Sequence, residues 1–205
     1  PVWTRNAAKE IGVATPGWGF TSSPLVVDDA LIVAVSGRVA AYDLATGKPR
    51  WTGPKIGGSY SSPHLFTLAG VPQVVMLSGN GATSFAPADG KILWQHAWEG
   101  ATILQPTLAG EDSLLISTSD MMGSLGVRRL AIAKGPDGWT AKEVWTSAGL
   151  KPYFNDLVVH NGFAYGFDGS ILSCIDLNDG KRKWKGGRYG HGQMLLLKDQ
   201  DLLLI

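Results

Sequence analysis

The sequence predicts an all-β fold built from repeated four-stranded antiparallel sheets, and three observations carry that prediction. A short phrase ending on tryptophan recurs along the 205 residues, with Trp51, Trp94, Trp145 and Trp184 separated by 43, 51 and 39 positions. Turn pairs such as Asn80-Gly81, Asp89-Gly90, Asn161-Gly162, Asp168-Gly169 and Asp179-Gly180 punctuate short β-rich runs, and such dipeptides tolerate the positive φ that tight hairpins need. No segment longer than ten residues keeps the 3.6-residue apolar period of a helix. Glycine at 27 of 205 and tryptophan at 8 of 205, beside only 17% charged residues, suit a chain of many turns and buried aromatics.

Each element follows from its own residues. The phrase is fullest at Asp43-Leu44-Ala45-Thr46-Gly47-Lys48-Pro49-Arg50-Trp51 and returns at Ala88-Asp89-Gly90-Lys91-Ile92-Leu93-Trp94 and Asp176-Leu177-Asn178-Asp179-Gly180-Lys181-Arg182-Lys183-Trp184. A stretched copy, with Gly135-Pro136-Asp137-Gly138-Trp139 inserted, closes on Trp145. A second phrase opens the first copy at Ser22-Ser23-Pro24 and then follows Trp51 as Ser61-Ser62-Pro63, Trp94 as Gln105-Pro106 and Trp145 as Asn155-Asp156. Between them lie runs such as Leu31-Ile32-Val33-Ala34-Val35, Val74-Val75-Met76-Leu77 and Leu114-Leu115-Ile116-Ser117. Asp43, Asp89 and Asp176 sit beside Gly-containing turns, where a carboxylate accepts bonds from backbone N–H groups, so they are read as turn residues.

A four-stranded unit recurring about every 44 residues is the blade of a β-propeller. The blades fall at about 21–52, 61–96, 105–146 and 155–186, with partial blades at 1–5, ending near Trp3, and 193–205. An arc of four whole blades leaves two apolar sheet faces open, which favours an incomplete arc of a seven- or eight-bladed ring over a five-bladed ring closed by the two partial blades.

The phrase Asp-Leu-x-x-Gly-Lys-x-x-Trp, with Ser-Ser-Pro opening the next unit, resembles the tryptophan-docking repeat of pyrroloquinoline-quinone-type propellers over about residues 21 to 205. That family contains quinoprotein alcohol dehydrogenases and non-enzymatic relatives such as the outer-membrane assembly lipoprotein of the BAM complex, so it implies a fold more strongly than an activity. The resemblance implies that Trp51, Trp94, Trp145 and Trp184 dock between adjacent blades with their ring nitrogens bonded to backbone. It also implies a periplasmic or cell-envelope location and a protein or peptide partner.

Functional residues of this family gather on the face bearing the connections from each fourth strand to the next first strand, and from second to third strands. The candidate binding residues on that face are Arg188, Tyr189, His191 and Gln193, with Tyr153, Asn155 and Asp156, and Trp18 in the long connection 6–20. Arg, Tyr, His and Gln interleaved with four glycines offer donors on a tightly turned backbone. The alternative is a quinone-dependent alcohol or sugar dehydrogenase using pyrroloquinoline quinone with calcium. Catalytic relatives set a vicinal cysteine pair against the cofactor, and this chain has one cysteine, Cys174. Cys174 reads as a small buried hydrophobe in a strand. Neither a catalytic residue nor a metal site is predicted: His64, His96 and His160 lack a second ligand at metal spacing. Paired carboxylates for a hydrolytic or glycan-binding propeller reduce to Glu99 and Asp156.

A net charge of +1 gives no basic field for nucleic acid. The apolar runs fall far short of a membrane-spanning helix, and no charged-then-apolar leader opens the chain at Pro1.

Overall fold

The computed structural model describes residues 2–190, 192–197 and 202–205, the last strand by its backbone alone; His191, one of the candidate binding residues, lies outside them. Four antiparallel sheets follow one another along the chain. The first holds β1 (Leu25–Val27), β2 (Ala30–Val35), β3 (Arg38–Asp43) and β4 (Pro49–Thr52). The second holds β5 (His64–Leu68), β6 (Val71–Ser78), β7 (Gly81–Phe85) and β8 (Ile92–Ala97). The third holds β9 (Thr107–Leu108), β10 (Ser113–Asp120), β11 (Gly123–Gly135) and β12 (Gly138–Ser147). The fourth holds β13 (Val158–His160), β14 (Phe163–Asp168), β15 (Ile171–Asp176) and β16 (Arg182–Arg188). A further pair, β17 (Leu195–Leu197) and β18 (Leu202–Leu204), comes last. Each sheet pairs its strands in chain order, which makes it a propeller blade. The one helix among the described residues, α1 (Ala7–Ile11), is capped by the Asn6 side chain and Gly12 and interrupts the connection 6–20.

The middle strands of a blade are covered by a neighbouring sheet on both faces, so their pattern is a continuous buried run rather than an alternation. Along β6, Val74 and Met76 pack toward the first blade with Ile32, Val39 and Phe85, while Val75 and Leu77 pack toward the third with Leu114, Ile116 and Leu130. A third cluster joins Leu115 and Val127 to Ala164, Ile175 and Leu177. The outermost strands see solvent, and every residue of β16 is exposed.

The tryptophans tie blade to blade through one repeated seat. The Trp51 indole N–H donates to the Pro87 carbonyl at 2.9 Å, and that of Trp145 to Leu177 at 2.9 Å. Trp3, upstream of the first blade, does the same to Leu44 at 2.9 Å. In each case the acceptor lies three residues before a glycine, Gly47, Gly90 or Gly180, whose Cα the ring covers. A Cβ there would enter the ring, and φ near +70° at all three also requires glycine.

Two tryptophans depart from the expected seat. Trp94 is buried, yet its N–H donates to the Gln73 side chain of its own blade at 2.7 Å rather than to backbone. The physical reason is the following blade: the insertion converts its third-to-fourth-strand turn into the long β11–β12 hairpin, with no glycine-closed turn like Ala86–Gly90 or Asp176–Gly180 to offer a carbonyl. Trp184 is 44% exposed, with Tyr165 at 6.2 Å between ring centroids, and no turn of a following sheet reaches it among the described residues.

The repeated aspartates act in their turns. Asp43 accepts from Thr46 N–H, Asp89 from Lys91 N–H and Asp176 from Asn178 N–H, at 2.8–3.1 Å. Arg50 bridges Asp29 and Asp43, and its guanidinium, followed by the Thr46 hydroxyl, holds the Asp43 carboxyl well below the usual carboxylate range. Cys174 is buried in β15, and burial raises its thiol pKa.

Candidate functional site

Backbone bonds between blades assemble one face from the blade-to-blade connections and the second-to-third-strand turns. Ile56 N–H donates to Gly37 O at 2.8 Å, Gly79 N–H to Gly58 O at 2.7 Å, Gly100 N–H to Gly79 O at 3.1 Å and Tyr189 N–H to Ser170 O at 3.0 Å. Each pairs a connection with such a turn, so loops that are remote in sequence share one surface.

The structure divides the candidate binding residues into two kinds. Asn155 and Asp156 are internal ties. Asn155 is 1% exposed and donates from Nδ2 to Gly192 O at 2.9 Å, while Asp156 Oδ1 accepts from Gln105 N–H at 3.0 Å. Both belong to a relay formed by the second repeated phrase. Ser23 N–H donates to Ser62 Oγ at 2.9 Å, Ser62 N–H to Gln105 Oε1 at 2.7 Å, and Gln105 N–H to Asp156 Oδ1. This corrects the reading of Asn155 as a surface binding group, since it is buried; Asp156 stays exposed and commits one carboxylate oxygen to Gln105.

Tyr153, Arg188, Tyr189 and Gln193 remain exposed. Tyr153 meets Phe154 edge-on with centroids 5.4 Å apart, and the Gln193 amide approaches Phe154 O at 3.5 Å. Tyr189 is 52% exposed and lies over Gly187, where a Cβ would strike its ring. Arg188 makes no ion pair among the described residues. Trp18 is 66% exposed and stands with a different partner, tilted against Tyr60 at 4.8 Å between centroids.

Beside Tyr60 the loops enclose a cleft of about 320 Å³ whose walls include Ser36, Gly58, Gly79, Gly100 and Thr102. Tyr60, Thr102, Arg38 and Lys55 are not among the residues that the sequence marks out. Their meeting brings together two blade-to-blade connections and the start of β3, and no local spacing announces it.

His96, near the end of β8, is occupied structurally. Its Nδ1 lies 3.2 Å from Ala141 O and its Nε2 3.1 Å from Arg128, which also bonds Glu143 and lies 4.1 Å over the Trp98 ring.

Sequential antiparallel blades, indoles seated on the following blade and loops gathered on one face define a pyrroloquinoline-quinone-type β-propeller. The chain belongs to the family described as outer membrane protein assembly factor BamB, whose model matches residues 64–192. Among solved structures it is similar to BamB from Moraxella catarrhalis, with a TM-score of 0.61 and 16% identity over 86% of this chain and 55% of that one. Similar too is the quinohemoprotein alcohol dehydrogenase from Comamonas testosteroni, with a TM-score of 0.61 and 16% identity over 87% of this chain and 37% of that one. The computationally designed Ika8 protein matches with a TM-score of 0.55 and 14% identity over 84% of this chain and 51% of that one. These likenesses show the fold. The chain spans about half or less of the length of these solved relatives. No curated protein sequence matches it.

Proposed function

We propose that this chain acts as a non-catalytic propeller scaffold of the bacterial cell envelope, docking a protein partner through its loop face. The observation that carries this reading is the exposed set Tyr153, Arg188 and Tyr189. Large aromatic rings and an exposed guanidinium share one face of a chain in the outer membrane assembly factor family. Aromatic and arginine side chains dominate the energetics of protein interfaces. Membership in that family favours the envelope as the place of action.

For the alternative, a quinone-dependent dehydrogenase, the described residues offer little. The single cysteine is buried in the middle of β15, and no carboxylate lines the loop-face cleft. No reaction step through a quinone follows from them.

The test compares the purified protein with its Arg188→Ala/Tyr189→Ala variant in pull-downs from an envelope extract, alongside thermal melts. The expected result is loss of a specific captured protein with an unchanged melting temperature. Equal capture by both proteins would sink the assignment. Dye reduction with alcohols after adding pyrroloquinoline quinone and calcium would support the dehydrogenase instead.

A further inference from the structure

The loop-face cleft beside Tyr60 has a floor made of backbone. Gly58, Gly79 and Gly100 step across it through the two bonds already described, and a Cβ on Gly79 would sit 3.4 Å from the carbonyl oxygens of both Gly58 and Gly100. The floor therefore stays bare of side chains, and a ligand's own backbone can come close. Thr102 lines the cleft and is 3% exposed. Its hydroxyl is the one buried side-chain polar atom without a hydrogen-bond partner among the described residues. A buried hydroxyl left unpaired is destabilising, so a ligand group that meets it gains more than an exposed hydroxyl would offer.

The walls carry no charge, but the neighbouring compartment does. A second cleft of about 480 Å³ shares Pro16, Ser36 and Gly58 with the first and adds Arg38 and Lys55. Neither cation forms an ion pair among the described residues, and no Asp or Glu lines either compartment. Tyr60 places aromatic surface at the first cleft, and Trp18 backs it, with its N–H 3.4 Å from the Tyr60 hydroxyl. At about 320 Å³ the first compartment is at the lower end of ligand sites, suited to one large side chain and its adjoining backbone.

We propose that this cleft binds an extended acidic peptide segment of a partner protein. An aromatic side chain enters the neutral compartment beside Tyr60, and a peptide carbonyl or N–H meets the Thr102 hydroxyl. The carboxylate of a neighbouring Asp or Glu lies against Arg38 and Lys55. Complementary charge supplies encounter rate and selectivity, and the buried aromatic ring supplies most of the affinity. The inference deepens the scaffold reading and rests on it, since it names the chemistry of the docked segment.

The test uses a fluorescein-labelled ten-residue peptide carrying one phenylalanine flanked by aspartates, with versions in which asparagine replaces aspartate or alanine replaces phenylalanine. Anisotropy should show saturable binding of the acidic aromatic peptide, weakening as salt rises, and at least about tenfold weaker binding of both altered peptides. Arg38→Ala/Lys55→Ala should abolish the preference for aspartate over asparagine. Thr102→Val should weaken binding about tenfold while holding or raising the melting temperature, because it removes an unpaired hydroxyl and preserves side-chain shape.

The proposal is overturned if the peptides bind equally, if none binds, or if Thr102→Val lowers the melting temperature and leaves binding intact. It is also overturned if phenylacetate titrates the cleft while the peptides do not, which would make this a small-molecule site. Capture that depends on Arg188 and Tyr189 without peptide binding would remove the cleft proposal and leave the scaffold reading standing.

Discussion

The backbone N–H of Ser62 donates to the Gln105 side chain at 2.7 Å across 43 residues of sequence, and Gln105 N–H in turn donates to Asp156. Serine, glutamine and aspartate thus occupy equivalent places in successive blades and do the same work with different chemistry. Each offers an acceptor to the backbone donor of the blade before it. The Ser61 hydroxyl adds a second bond to Gln105 Oε1 at 3.0 Å.

Truncating Gln105 to alanine removes the acceptor for both Ser61 Oγ and Ser62 N–H. Ser61 is fully buried, so its donor would lose a partner that water does not readily replace. We expect Gln105→Ala to cost about 1–3 kcal/mol, read from urea denaturation, with Gln105→Glu recovering part of the loss.

The seat of Trp51 gives a sharper result. A methyl group at Gly90 would collide with the Trp51 ring and would have to adopt φ of +71°. Gly90→Ala is expected to destabilise by about 2–4 kcal/mol, whereas alanine at Gly162, with φ of +81° but nothing near its Cβ, meets only backbone strain and costs about 1 kcal/mol. Equal losses at the two positions would show that the ring contact contributes nothing.

Gln73 is fully buried and accepts from both Trp94 Nε1 and Ser84 Oγ at 2.7 Å, while its amide donates to Leu68 O at 3.1 Å. Gln73→Leu should therefore cost about 2–5 kcal/mol by stranding buried donors. In a double-mutant cycle, adding Trp94→Phe should cost less in the Gln73→Leu background than in the native protein. Additive losses would place the Trp94 N–H in some other bond.

Acid should weaken the blade turns in a defined order. Asp29 and Asp43 lie below the ordinary aspartate value of 3.8, each chiefly because of Arg50; Asp89 and Asp176 do so chiefly through the backbone N–H groups of Lys91 and Asn178. Carboxyls with depressed folded-state pKa values contribute stability that is fully present above the unfolded value of 3.8 and is lost as pH falls through the folded values. Melting temperature should therefore fall on acidification below about pH 4. Asp43→Asn, the most depressed of these groups, should flatten that limb. A melting temperature unchanged down to about pH 2 would contradict the ion-paired turn.

Much of the blade architecture was legible because its determinants are local. Asp43, Thr46 and Gly47 form a turn from bonds spanning three or four residues, so their chemistry is visible in the phrase itself. The candidate site was legible only in part. Tyr153 and Tyr189 are exposed in loops and Arg188 at the end of β16, whereas Asn155 looks equally available in sequence and proves to be buried and committed to Gly192. Trp94 carries the same phrase as Trp51, yet finds a different acceptor because the blade after it has an altered hairpin.

The sequence alone determined the repeat, the hairpin turns, the blade as the unit of structure and the need of the indoles for a partner, since these follow from period, turn residues and the cost of burying an N–H. Tertiary structure decided which partner each polar group takes and which residues meet at the cleft. Lys55 and Tyr60 lie on one connection, Thr102 on the next and Arg38 at the start of β3, and only the stacking of one sheet on the next brings their atoms within reach of a common ligand.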